Sequence, residues 1–267
     1  MPYLSLEPGC TLHYLDDDYT RPWESHEVAV LVHGVAEHSG VWFEWMPYLA
    51  PHYRLIRLDL RGFGASSVPP PAYPISVAGF ADDLRRLLEH LKLPPVHLIC
   101  AKLGGTIGMQ LAITAPQLLR SLTVIGSPAS FTAKQREHYT WVEMVQKQGV
   151  RTWAETTMRG RLGQDASEAM LTWWTDLMSA APPQVLARLL AHIAGVDLTP
   201  HLGSIRTPTL MISGAGSVLA SVDTVEQWAR AIPNCRLHII PGTSYHLAAT
   251  HVAECARVTL EFLHQLE

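Results

Sequence analysis

The chain is poor in charge. Only 16% of its 267 residues are Asp, Glu, Lys or Arg, and the formal balance is −4 at pH 7. It carries no basic cluster, which argues against nucleic acid and anionic membrane as partners. No apolar run reaches the roughly 18 residues that a bilayer-spanning helix needs. The opening residues, from Met1 to Pro8, lack a basic stretch followed by an apolar one, so no signal peptide is read there. Cysteine is scarce as well. Cys10, Cys100, Cys235 and Cys255 are far apart and match no metal-ligand spacing. They are expected to be reduced, mostly buried thiols of a cytoplasmic protein. The 14 histidines form no His-x-x-x-His pair flanked by acids. No metal and no cofactor are therefore expected. Oligomeric state is not legible.

What the chain does have is apolar surface to bury, at 48% of residues. Short β-rich runs alternate with helical patterns. Strands are expected at Leu12–Leu15, Val28–Val32, Tyr53–Asp59, Val96–Cys100, Leu122–Gly126, Thr209–Ser213 and Arg236–Ile240. Phe80, Leu84, Leu87, Leu88 and Leu91 recur at helix spacing over Ser76–Leu91, and Val252–Leu266 reads as a closing amphipathic helix. Buried strands alternating with helices predict an α/β fold, with a mainly parallel sheet covered on both faces. Residues 128–200 break the rhythm and read as helices without strands. They hold Trp141, Trp153, Trp173 and Trp174, half of the 8 tryptophans. The expected organisation is a core of 1–127 and 201–267 with a helical cap of 128–200. The cap tryptophans either pack the cap onto the core or line an apolar substrate pocket.

Residues 97–108 carry the most informative signal. The strand Val96–Cys100 runs into a sharp turn, and Gly104-Gly105 then opens a helix expected over Thr106–Ala115. This is the strand–turn–helix setting of a Gly-x-Ser-x-Gly nucleophile elbow. Here Cys100 stands for the first glycine, Lys102 for the serine, and Gly104 for the last glycine.

Four further segments fall in order around that turn. His33-Gly34-Val35-Ala36 follows a strand. Asp59-Leu60-Arg61-Gly62-Phe63-Gly64-Ala65-Ser66 follows another. The segment from Asp197 to Thr209 leads back from the helical stretch. Pro241-Gly242-Thr243-Ser244-Tyr245-His246 precedes the last helix. Together these motifs resemble the alpha/beta-hydrolase superfamily over nearly the whole chain. The stretch His33–Gly40 is also locally similar to the corresponding loop of monoacylglycerol lipases. The resemblance implies an alpha/beta-hydrolase core, an oxyanion hole from the Val35 and Leu103 backbone amides, and a structural bracing role for Asp59 and Arg61. The departures are as informative. The nucleophile position holds Lys102. The two usual acid positions hold Ser217 and Ser127-Pro128. The histidine slot falls on either Tyr245 or His246. Ordinary Ser-His-Asp hydrolysis does not carry over.

A lysine at an elbow has chemistry of its own. Burial and the positive end of a helix dipole both disfavour its ammonium, so its pKa should fall. A neutral amine can attack a carbonyl or act as a base. Lys102, His246 and Glu37 are thus the candidate catalytic set. Tyr245 and the four cap tryptophans are the candidate substrate contacts. The expected function is cleavage of an ester, lactone or carbon–carbon bond in a small, largely apolar carbonyl compound. The alternative is a non-catalytic binding or sensor protein, with Lys102 fixed by Glu37 as a buried ion pair.

Overall fold

The computed structural model describes residues 2–266. One sheet of eight strands forms its centre: β1 (Tyr3–Glu7), β2 (Cys10–Asp17), β3 (Val28–Val32), β4 (Arg54–Leu58), β5 (Val96–Ala101), β6 (Leu119–Ile125), β7 (Thr209–Gly214) and β8 (Cys235–Ile240). The spatial order is β1-β2-β4-β3-β5-β6-β7-β8. The β1–β2 hairpin and the β2–β4 pair are antiparallel; the other pairs are parallel. β3 and β5 are buried at every position, as central strands covered on both faces must be.

Outside the sheet lie α1 (Met46–Leu49), α2 (Val77–His90) and α3 (Leu103–Thr114). Ser76 caps α2 by accepting from the Gly79 N–H at 3.0 Å. Between β6 and β7 the chain leaves the core for four helices, α4 (Gln135–Gln148), α5 (Val150–Leu162), α6 (Glu168–Ser179) and α7 (Pro183–Ile193). The outgoing and returning chains are stitched together where Phe131 and Leu198 donate to Val196 and Ala129, each at 2.9 Å. The core closes with α8 (Val222–Ala231), α9 (Leu247–Thr250) and α10 (Val252–His264). Among the described residues no helix is long and apolar enough to cross a membrane.

Most elements lie where the sequence places them within one or two residues at each end, and three departures matter most. β1 was not anticipated, although Leu4 and Leu6 alternate inward along it. β6 starts at Leu119 rather than Leu122. α3 starts at Leu103 rather than Thr106, so the glycine pair lies inside its first turn. Packing explains the glycines. A Cβ on Gly104 would fall 2.3 Å from the Val32 carbonyl oxygen, and one on Gly105 would fall 2.0 Å from Ser127 Oγ. The helix can seat against β3 and β6 only without those side chains.

Candidate functional site

Lys102 sits where β5 ends and α3 begins. Its backbone has φ +52° and ψ −120°, a region that side chains other than glycine rarely occupy. Its N–H donates to the Ile125 carbonyl at 2.9 Å, which holds the turn in place. Strain of this kind persists only where its surroundings enforce it. The aliphatic stem then crosses the loop after β3. A Cβ on Gly34 would lie 2.5 Å from Lys102 Cε, so glycine is what lets the stem pass.

The amine ends against a carboxylate. Glu37 Oε2 accepts from the Gly34 N–H at 2.8 Å, which aims Oε1 at Lys102 Nζ in a buried ion pair. The same Oε1 lies 3.2 Å from His246 Nε2. Lys102, Glu37 and His246 are 4%, 1% and 3% exposed, so the cluster is cut off from bulk water. The Trp174 ring covers it, 4.4 Å from the imidazole and 5.9 Å from Nζ. None of Nζ, Oε1 and the two imidazole nitrogens makes an aligned hydrogen bond.

Burial and neighbouring charge set the protonation states. Burial pushes the Lys102 amine down to about 8, even though Glu37 favours its charged form; Arg161 pushes in the same direction as burial. Burial alone would raise the Glu37 carboxyl, but the Lys102 ammonium and the contact with His246 outweigh that and hold it well below the usual range. His246 is driven to about 4 by burial and then by the Lys102 charge, so it is neutral at pH 7. Lys102 therefore supplies the charge that Glu37 faces. With a carboxylate at Nε2, the neutral imidazole carries its proton there and leaves Nδ1 as a bare acceptor.

The loops around the cluster are braced. Leu60 donates to His33 Nε2 at 2.9 Å, and His33 Nδ1 donates to the Gly34 carbonyl at 2.8 Å. Asp59 accepts from the N–H groups of Ser39 and Ala65 at 2.6 and 2.8 Å. Arg61 pairs with buried Asp83. His38 turns back on its own loop, accepting from the Gly40 N–H at 3.1 Å.

At the elbow is a narrow cavity of about 40 Å3, lined by Val35, Lys102, Leu103, Trp141, Trp153, Arg161 and Tyr245 among others. Neither the Val35 nor the Leu103 N–H is bonded to another group among the described residues. The structure thus brings Val35, Lys102 and Leu103 to one cavity, while Glu37 and His246 lie behind its wall. Of the four tryptophans in the helical insertion, Trp141 and Trp153 line it and Trp174 lies over the charged cluster. Trp173 does not reach it. It is 45% exposed, its ring tilted against that of Phe43, and it lines a larger open groove of about 800 Å3. Trp174 also lines that groove, whereas Lys102 does not. Tyr245 and His246 divide the histidine slot, with His246 at Glu37 and Tyr245 on the cavity wall. Ser217 accepts from Leu219 in its own turn, and Ser127 donates to the Ile125 carbonyl. Neither meets His246. Among the described residues no group of three His, Cys, Asp or Glu converges as metal ligands.

Two lining residues had no sequence signal. Arg161 lies on α5 two residues from exposed, ion-paired Arg159, and nothing local distinguishes them. His138 lies on the mostly polar α4. Only the packing of the insertion onto the core turns these side chains inward.

The chain is similar to known proteins along most of its length. The chain is 29% identical over 229 residues to a pimeloyl-[acyl-carrier protein] methyl ester esterase of Nitrosospira multiformis, covering 81% of this chain and 86% of the relative. It is 26% identical over 272 residues to 3-oxoadipate enol-lactonase 2 of Acinetobacter baylyi, covering 95% and 92%. A solved hydrolase from Pseudomonas aeruginosa superposes with a TM-score of 0.86 at 26% identity, covering 98% of this chain and 97% of that one. A family model described as the alpha/beta hydrolase fold matches residues 28–249. Sheet order, elbow and loop motifs agree with that match, and the chain belongs to the alpha/beta-hydrolase fold family.

Proposed function

We propose that the protein is a hydrolase or lyase for small, largely apolar carbonyl compounds, with Lys102 acting where the family places a serine. The observation that carries this reading is the amine itself. It is buried on a strained elbow, has a pKa of about 8, and belongs to a residue that lines one cavity with Val35 and Leu103, whose backbone N–H groups are unbonded among the described residues. The esterase and enol-lactonase relatives support carbonyl substrates, since one name describes a methyl ester and the other an enol-lactone. The four-helix insertion serves as the cap.

Two routes use the same parts. With a ketone or aldehyde, the nitrogen lone pair adds to the carbonyl carbon and water leaves, giving an imine. With a β-diketone, water then adds to the second carbonyl, and the carbon–carbon bond next to it breaks. One fragment leaves as a carboxylic acid, and the electron pair passes through the adjacent carbon to the protonated imine as an enamine, which takes up a proton and is hydrolysed by water to the ketone and the free amine. With an ester or lactone, the neutral amine takes a proton from water and the hydroxide adds to the carbonyl. The Val35 and Leu103 N–H groups hold the oxyanion. The carbon–oxygen bond breaks and the leaving oxygen recovers the proton from the ammonium. Glu37 orients the amine throughout.

The contact between Glu37 and Lys102 supports a second reading, a binding protein whose ammonium is a fixed charge. At pH 7 only roughly one molecule in ten holds a neutral amine at that pKa. One experiment separates the readings. The protein is assayed on activated esters, lactones and β-diketones, then treated with borohydride in the presence of a β-diketone. A mass increase on Lys102, with Lys92, Lys134 and Lys147 unmodified, is expected, and Lys102→Arg should be inactive because a guanidinium stays charged. Full activity in Lys102→Arg excludes the lysine as catalyst. Rapid phosphonylation of a pocket serine by a fluorophosphonate would restore a serine mechanism.

A further inference from the structure

Arg161 is a buried cation with no anion. It is 4% exposed and lines the cavity that Lys102 lines. Its Nε donates to Thr157 Oγ1 at 3.1 Å. The guanidinium also meets the Tyr245 hydroxyl, and the rest of it is packed among rings. Its central carbon lies 4.7 Å from the centre of the Trp153 ring and 6.0 Å from those of Trp141 and Tyr245. No carboxylate pairs with it among the described residues. Glu37 is committed to Lys102, and exposed Glu137 pairs with Lys134 at 3.3 Å. Thr157, Trp153, Trp141, Tyr245 and His138 surround it, and burial lowers the pKa of His138, favouring its neutral form.

The charges therefore do not balance. Lys102 and Glu37 cancel, His246 is neutral, and the Arg161 charge is left over in a dry site. An arginine cannot shed its proton to escape burial. Aromatic faces offset part of the cost, but a buried charge without a counter-ion is rare and expensive. The position is firmly held, because the Arg161 carbonyl accepts from the N–H groups of Tyr245 and His246 at 3.2 and 3.0 Å. The helix end that carries the guanidinium also fixes the histidine loop. The guanidinium is thus set at one place in the cavity, with its planar fork suited to a carboxylate.

We infer that Arg161 is the specificity-determining residue of this site, and that its substrate is a short oxo acid or a similar carbonyl compound bearing one carboxylate. The carboxylate docks on Arg161, and the carbonyl lies at Lys102 between the Val35 and Leu103 amides. The cavity is about 40 Å3 in this structure, smaller than such an acid, so binding requires the cap side chains to shift. This inference deepens the reading above and rests on it for the carbonyl end only.

The test is a calorimetric titration of the full chain at pH 7 with 4-oxopentanoate and, separately, with its methyl ester. The acid should bind about ten- to a hundredfold more tightly than the ester. Arg161→Met should remove that preference while leaving ester binding nearly unchanged. Arg161→Lys, which keeps the charge and loses the fork, should fall between them. No saturable binding by the acid, equal binding of acid and ester by the wild type, or a preference that survives Arg161→Met would each overturn the inference. The wild-type comparison stands even where a variant fails to fold. The same titration on Lys102→Ala separates the two readings. An acid preference that persists there upholds Arg161 even if borohydride traps nothing.

Discussion

Among the described residues, two ion pairs of an arginine or lysine with a carboxylate are almost fully buried, and they differ in kind. Arg61 and Asp83 meet through two parallel contacts, with Nε donating to Oδ2 at 2.9 Å and the guanidinium stacked 4.0 Å from the Tyr73 ring centre. Neither residue leaves an orphaned polar atom. Lys102 and Glu37 meet through a single oxygen that His246 also approaches, and Nζ, Oε1 and both imidazole nitrogens lack aligned hydrogen bonds. A satisfied buried pair rigidifies a fold. A cluster with unmade bonds in a dry cavity is one that a reacting molecule can complete. The first pair braces the loop after β4, and the second stands at the elbow. Orphaned polar atoms also occur in the scaffold, on Thr123 and Thr259 for example, so what separates the two pairs is the single carboxylate oxygen that Lys102 and His246 share at the elbow.

The largest test of that contrast exchanges the two pairs. Lys102→Ala should lower turnover by about 10²- to 10⁴-fold, the usual range for a lost acid–base group. Arg61→Met should instead cost about 3–5 kcal/mol of stability, because it strands a buried carboxylate. Its turnover per folded molecule should match the wild type. Denaturant melts and steady-state rates read the two outcomes, and a crossed pattern would break the comparison.

A second test uses pH. Lys102 acts as the neutral amine, and its pKa of about 8 means that this form grows as pH rises through 8. Turnover should climb from pH 6 and level off above about 8. Glu37→Gln removes the carboxylate that favours the ammonium, so the midpoint should move to lower pH. An unchanged midpoint in that variant would remove Glu37 from the mechanism.

The smallest effects are expected from the tryptophans. Trp141→Ala and Trp153→Ala should each weaken ligand binding by about 1–3 kcal/mol. Trp173→Ala, in the separate groove, should leave it unchanged. Fluorescence titration measures all three. Weakening by Trp173→Ala alone would move the binding site to the groove.

Much of this was legible in the sequence. The motif order around Lys102 identified the family, because each motif is a local solution to a local problem: a glycine where a helix must touch a strand, a turn where a strand must stop. The elbow was placed for the same reason. β1 was missed although Leu4 and Leu6 alternate, because a run of five residues is too short to separate from loop. Among the tryptophans, composition could place four in the insertion but could not say that Trp173 faces outwards. Arg161 carried no signal at all.

By itself the sequence determined the alpha/beta architecture, the turn at residue 102, and the replacement of a hydroxyl by an amine there. These depend on periodicity and on neighbours in the chain, where the backbone dictates geometry within a few residues. Only the tertiary structure decided which carboxylate meets the amine, which of Tyr245 and His246 faces it, and that Arg161 is buried without a counter-ion. Those contacts join the loop after β3, the elbow, α5 and the loop after β8, segments far apart in the chain. The charge state of each group is set by how completely the packing of those segments excludes water.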